Sequence, residues 1–279
     1  MITKEAPFTL SDDAVSSLPW QRDRAVDYLA NLPLADFDVE SQPGRPRVYL
    51  PTGDTFGTSK VTPANGNSAA QDTIVAPDAM ADANYKAVMR TKLLAQMGAR
   101  TAFDVNRETD NYYQRYMEIL GYCGWVQNYS EWRQYTSSSS SLEISQVLID
   151  LLTGLLTGKQ LELLQTALTV LQTAYKSNEQ IRLLGKDNAA DKEVNFDLGV
   201  VGQDSHTWPT FKPVFFAISA ESETVNILFT TLKSSQTSVF YATSDQTLDM
   251  SHYAMVQAAV EAKTEEAAKN YIENLAIAN

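Results

Sequence analysis

The sequence predicts an α+β fold, in which a helical N-terminal and central part precedes a small antiparallel β-meander of about four strands covered by helices, and a C-terminal helix closes the chain. Three observations predict it. Apolar residues recur with a helical period between residues 78 and 184. They alternate with other residues in short runs between residues 194 and 242, as they do in strands. The helical period returns from residue 248 to residue 275.

Residues 1–77 form a proline-rich arm, since eight of the ten prolines lie in this segment. Proline fixes φ and removes a backbone donor, so regular elements here must be short. One short helix is predicted from Pro19 to Asn31, with Ser17 as its N-cap. The remaining apolar residues indicate that the arm packs onto another part of the protein.

The rest of the chain, residues 78–279, is predicted to be a single α+β domain. Its elements are helices over 78–135 and 141–184, a sheet over 194–242 and a helix over 248–275.

The end of the first helical region is dense in aromatic side chains, with eight in the 24 residues from Tyr112 to Tyr135. Tyr and Trp join a large apolar body to a polar tip, so they suit core edges, interfaces and ligand surfaces. Two interpretations stay open, namely a core contact between helix and sheet, and a surface for a partner or ligand. The residues of this candidate aromatic surface are Tyr112, Tyr116, Trp125, Tyr129 and Trp132.

A pair of helices is predicted after the serine run. Ser140 and Glu143 match a capping box, which predicts a helix that starts directly after Ser140. Thr157 and Gln160 match a second capping box, which predicts a break within LLTGLLTG and a new helix over about 158–184.

The second helix of this pair has no charged residue between Leu163 and Tyr175. A surface helix normally carries Lys and Glu on its outer arc, whereas this arc consists of Gln and Thr. Three interpretations stay open: a helix covered by its own chain, a contact with another subunit, and a face that enters a membrane. The residues of this candidate interface or membrane face are Gln165, Thr166, Thr169, Gln172 and Thr173.

The sheet region consists of apolar runs joined by the short polar links ESET and KSSQ. Short links favour neighbouring antiparallel strands. The runs FFAI and ILF are apolar on both strand faces, which indicates that helices cover both faces of the sheet. Strands are predicted over 194–200, 213–220, 225–232 and 237–242.

Charge and composition exclude several classes of function. The net charge of −12 is spread along the chain without a basic block, so nucleic acid is excluded as a partner. The only histidines, His206 and His252, belong to no metal-binding motif, and we expect neither a metal nor a cofactor. The N-terminus lacks the apolar region of a signal peptide. We therefore expect synthesis in soluble form, with a cytoplasmic location or export by a non-classical route.

These observations favour a non-enzymatic protein that acts by self-association or partner binding through the aromatic segment and the charge-free helix face. The expected partner is a second copy or another protein. The alternative is a soluble pore-forming or membrane-active toxin or effector that inserts the helices of residues 142–184. Asp150 and Glu162 oppose it, because each costs several kcal/mol at membrane depth unless it faces water. An enzyme with an unmarked site is the third hypothesis, and no catalytic residue is assigned.

Overall fold

The computed structural model describes residues 22–34, 59–63, 70–77, 80–103, 108–129, 132–177, 193–204, 207–220 and 228–277. Within them the α+β class is confirmed. The helices are α1 (Arg22–Ala30), α2 (Asp82–Ala102), α3 (Thr109–Tyr122), α4 (Ile144–Thr153), α5 (Gly158–Ser177) and α6 (Met250–Ile277). The strands are β1 (Ser59–Pro63), β2 (Ala70–Pro77), β3 (Trp125–Tyr129), β4 (Arg133–Tyr135), β5 (Ser141–Glu143), β6 (Glu193–Gln203), β7 (Pro209–Ala220), β8 (Thr231–Lys233) and β9 (Thr237–Leu248).

Most strands belong to one sheet with the order β1-β2-β6-β7-β9-β3, in which β4 also pairs with β9. Neighbouring strands are antiparallel except β2 and β6, which are parallel. Strands β3 and β4 follow each other along β9, with Trp125 opposite Leu248 and Tyr135 opposite Val239. Strands β5 and β8 form a separate two-stranded sheet.

Each face of the main sheet supports its own core. Alternate residues of β7 point to opposite sides, because side chains alternate along a strand. Phe211 and Phe215 join the core formed with α1, α2, α3 and α6. Val214 and Phe216 join the core formed with α4 and α5. Helices therefore cover both faces, as the two-sided apolar strands predict.

The end of the predicted 78–135 helical range is strand instead of helix. Gly124 has a φ of 100°, a left-handed conformation that glycine adopts readily and that ends the helical run. The chain then pairs with β9 as β3 and β4. The first capping box is also wrong as a helix start, because Ser141–Glu143 is strand β5 and α4 begins at Ile144.

Other predictions fall partly outside the described residues. These are positions 19–21 of the first helix, 178–184 of the long helix and 225–227 of the third strand. Residues 228–230 form a turn, and the strand that follows, β8, pairs with β5 outside the main sheet. The proline-rich arm supplies β1 and β2 at one end of the main sheet, while its separation from the domain stays a prediction.

Gly199 allows β6 and β7 to pack closely around an aromatic ring. A Cβ atom at Gly199 would lie 2.6 Å from Cε2 of Phe211 and 2.7 Å from the Cα of Pro213, which is backbone. We expect Gly199→Ala to lower the free energy of unfolding by about 1–3 kcal/mol, because the neighbouring strand must shift. Urea denaturation measures this change. Gly154→Ala is the matched control, since no atom lies within 4 Å of its Cβ position. Equal urea midpoints for the two variants would contradict this packing.

His252 gives the fold a dependence on pH. It lies in the first turn of α6. The backbone N–H of His252 donates to the carboxylate of Asp249 at 3.1 Å, and the backbone N–H of Ser251 donates to it at 2.8 Å. Burial lowers the pKa of His252 below 6.5, although Asp249 and the Tyr122 backbone act in the opposite direction. The unfolded chain thus binds this proton more readily than the folded protein, so stability is lost as the pH falls through 6.5.

We therefore expect His252→Gln to flatten the decline of the urea midpoint between about pH 7 and pH 5. The measurement is a series of urea denaturation curves for both proteins across this range. An equally steep decline in the variant would show that other groups cause the acid sensitivity.

Candidate functional site: the α4–α5 layer

Helices α4 and α5 form one layer on one face of the main sheet. Helix α5 packs on β1, β2 and β6, while α4 packs on β7. The underside of the layer is aliphatic, with Leu148 and Leu152 of α4 and Leu164 and Leu168 of α5 all buried. The layer is therefore held to the sheet by apolar contacts, whose strength scales with the area removed from water.

The turn between α4 and α5 leads into a capping box at the N-terminus of α5. The backbone N–H of Thr157 donates to Oε1 of Gln160 at 3.1 Å, and the N–H of Gln160 donates to Oγ1 of Thr157 at 3.4 Å. This reciprocal pair confirms the second capping box and the break that it predicts. At the tip of the turn, the side chain of Leu155 is 39% exposed.

The outer arc of α5 faces away from the sheet. Gln165, Thr166, Thr169 and Thr173 are exposed, and Gln172 is half-buried. This exposure does not match the interpretation of α5 as a helix covered by its own chain, since four of the five residues of the arc are open to solvent. Five uncharged polar residues thus stand where a helix exposed to water usually carries charges.

The threonine hydroxyls of this arc are bonded within the helix. Thr166 donates to the carbonyl of Glu162 at 2.9 Å, Thr169 to that of Gln165 at 2.8 Å, and Thr173 to that of Thr169 at 2.8 Å. Each donor is one turn from its acceptor, so the bonds survive any rigid movement of α5. The arc can therefore leave water without exposing unpaired hydroxyl donors.

Three charged residues of the layer lie near the turn, and Lys176 lies near the other end of α5. Lys159 and Glu162 are exposed in the first turns of α5, and Asp150 is exposed in α4. Gln146 donates to Oδ1 of Asp150 at 2.8 Å. Burial, together with the nearby carboxylate of Asp150, raises the pKa of the Tyr135 hydroxyl. The stretch from Leu163 to Tyr175, which contains the five residues of the outer arc, is thus free of charge.

Four of the five residues of the candidate aromatic surface lie in the core. Tyr112, Tyr116 and Trp125 are each 1% exposed, and Trp132 is also buried, while the side chain of Tyr129 lies outside the described residues. These rings fill the space between α3 and the sheet, where Tyr113 meets Phe215 with ring centroids 5.3 Å apart. Of the two interpretations, the core contact holds in this conformation, and the rings offer no surface to a partner.

One notable group was not predicted from the sequence: Lys92 of α2 is 2% exposed and donates to Oε1 of Gln246 at 2.8 Å. A sequence signal for it exists, because Lys92 follows Val88 by four residues and precedes Ala95 by three. Both neighbours are buried. Helical spacing alone would therefore have placed this lysine on the core face.

Two further properties bear on chemistry. In the part of the chain that the structure describes, no cluster of His, Cys, Asp and Glu side chains is suited to hold a metal ion. Within the same residues, no helix combines the length and the apolar character of a membrane-spanning segment.

Comparison with known proteins gives limited similarity. No protein-family model matches the chain, and no curated protein matches it in sequence. Among solved structures, a delta-endotoxin resembles 73% of this chain over 89% of its own length, with 11% identity and a TM-score of 0.38. The Evf virulence factor resembles 70% of this chain over 74% of its own length, with 9% identity and a TM-score of 0.32. Similarity at these TM-scores does not establish a shared function.

Proposed function

We propose that this protein is a membrane-active effector, in which the α4–α5 layer leaves the sheet and enters a lipid bilayer. One observation carries the proposal: the outer arc of α5 is exposed and yet carries no charge, and its threonine hydroxyls are bonded within the helix. Water imposes no such restriction on a surface arc, whereas a bilayer penalises both charges and unpaired donors.

In a bilayer, the two faces of α5 would make different contacts. Leu164 and Leu168 now pack on the sheet and would face lipid chains after release. With 20 residues, α5 has a length of about 30 Å, which equals the thickness of the hydrocarbon core. The Gln and Thr arc would then meet the same arc of other copies, since uncharged small side chains support close packing of helices in membranes.

A contact with another soluble protein accounts for the arc less well. Protein interfaces depend on a few anchors that are rich in Trp, Tyr and Arg, and the outer arc has none of these. The rings of Tyr112, Tyr116 and Trp125 are buried and cannot supply such anchors without rearrangement.

The test is release of a trapped dye from phosphatidylcholine vesicles, a lipid without net charge that does not repel this acidic chain. We expect release that grows with protein concentration, at pH 7 or after acidification to pH 5. Intact vesicles under all these conditions, with protein shown to be folded by circular dichroism, would overturn the proposal.

Leu155 at the tip of the turn provides a first variant for this assay. Because its side chain is partly exposed, Leu155→Ser should change the free energy of unfolding little. We expect it to lower dye release roughly two- to threefold, since a leucine contributes about 0.3–0.6 kcal/mol to membrane insertion. Thr153→Ser, at an exposed position of the same layer, is the control. Equal release by Leu155→Ser and wild type would show that the tip does not reach the bilayer.

Self-association in water is the second candidate function, and Gln165 favours it. Its carboxamide both donates and accepts hydrogen bonds and is exposed on the outer arc, where a second copy can reach it. Light scattering over a hundredfold range of protein concentration tests this candidate. A molar mass that rises with concentration, and that Gln165→Ala abolishes, would support it. A monomer mass throughout would exclude it.

A further inference from the structure

A buried ammonium group joins α2 to the sheet. Lys92 lies in the middle of α2 with 2% of its surface exposed. Its Nζ lies 4.0 Å from the ring centroid of Phe211 in β7, 5.0 Å from that of Trp125 in β3, and 5.4 Å from that of Tyr116 in α3. A cation near ring faces is attracted by their negative potential, and the attraction is larger when the group is removed from water.

The surrounding groups are fixed by further contacts. The indole N–H of Trp125 donates to Oγ1 of Thr91 at 2.9 Å, and Thr91 donates to the carbonyl of Ala87 at 2.8 Å. The ring of Phe211 occupies the space that a side chain at position 199 would otherwise fill. Three elements thus hold aromatic rings at set positions around one ammonium group.

The orientation of Gln246 follows from the same contact. An ammonium group only donates hydrogen bonds, so the carboxamide must present its oxygen to Lys92. Its Nε2 is then left buried, with no hydrogen-bond partner among the described residues. An apolar pair at positions 92 and 246 would leave no buried polar atom without a partner. This comparison indicates that the Lys92–Gln246 contact adds little to total stability and instead selects one arrangement of α2 on β9.

We propose that Lys92 is a positioning residue, whose caged ammonium group fixes the register of α2 on the main sheet. Replacing Lys92 by Met keeps the length of the side chain and removes the charge. The cost of burying the charge disappears together with the ring and amide contacts, so total stability changes little while α2 loses its fixed position.

Hydrogen exchange in solution tests this inference independently of any membrane activity. We expect the amides of α2 to exchange at least tenfold faster in Lys92→Met, with a urea midpoint that matches wild type. Gln246→Met should also speed exchange in α2, but it should lower the urea midpoint, because the buried ammonium group keeps its charge and loses its acceptor. The double variant should exchange no faster than either single variant, because both replacements remove one contact.

Two outcomes would overturn the inference. Unchanged exchange in α2 would show that the ammonium group does not position the helix. Faster exchange in all elements of Lys92→Met, together with a lower urea midpoint, would show that Lys92 only contributes to global stability. Gln246→Glu, which keeps an acceptor for the ammonium group, should retain the slow exchange of wild type.

Discussion

Thr169→Lys is expected to lower vesicle permeabilisation roughly 100-fold while leaving the fold intact. Thr169 is exposed, so a lysine there replaces no buried contact and should alter the free energy of unfolding by less than about 0.5 kcal/mol. At membrane depth the same lysine costs about 2.5–3.5 kcal/mol, which corresponds to that loss of activity. The measurements are dye release and urea denaturation on the same preparations.

Two control variants separate the effect of changing position 169 from the effect of adding a charge to the protein. Thr169→Ser keeps the arc uncharged and retains a hydroxyl, so it should release dye as wild type does. Ala258→Lys adds the same charge to an exposed position of α6, on the other side of the sheet, and should also remain active. Full activity of Thr169→Lys would show that the outer arc of α5 never enters the bilayer.

Leu164→Ala is expected to lower stability and to raise activity. Leu164 is fully buried on the face of α5 that packs on the sheet. Its truncation should therefore reduce the free energy of unfolding by about 2–5 kcal/mol. In a bilayer the same leucine contributes only about 0.3–0.6 kcal/mol. The truncation therefore weakens attachment to the sheet much more than insertion, and dye release should become at least tenfold faster below saturating protein concentration.

A residue in the opposite core provides the control for this prediction. Val256→Ala on α6 also truncates a fully buried aliphatic side chain, but it leaves the α4–α5 layer on the sheet unaltered. We expect it to lower stability without accelerating release. Equal acceleration by both variants would mean that general destabilisation, and not release of α5, controls activity.

Several features of the fold were predictable because local patterns determine them. The break before Gly158 follows from the reciprocal bonds of Thr157 and Gln160, which involve neighbours in sequence. The buried residues Tyr253, Val256 and Val260 of α6 follow from helical spacing. The cover on both faces of the sheet follows from strands that are apolar on both sides.

Other features depend on partners distant in sequence. Ser140 and Glu143 resemble a helix start, yet β5 forms because β8 is available nearly a hundred residues later. Trp125 and Trp132 could have been surface or core, and only long-range packing, such as that of α3 against β3, decides the question. The lack of charge on the outer arc can be read from the sequence, whereas the exposure of Gln165, Thr166, Thr169 and Thr173 depends on the absence of a further layer over α5 in the described structure.

The most direct test of membrane entry by α5 is the emission of an environment-sensitive fluorophore attached at Thr169→Cys. The native thiol of Cys123 is buried, and burial raises its pKa, so the label reacts at position 169 alone. We predict a blue shift and an increase in emission when phosphatidylcholine vesicles are added, at the protein concentrations that release dye. The same label at Ala258→Cys should not respond. Unchanged emission at position 169 while dye is released would contradict entry of α5 into the bilayer.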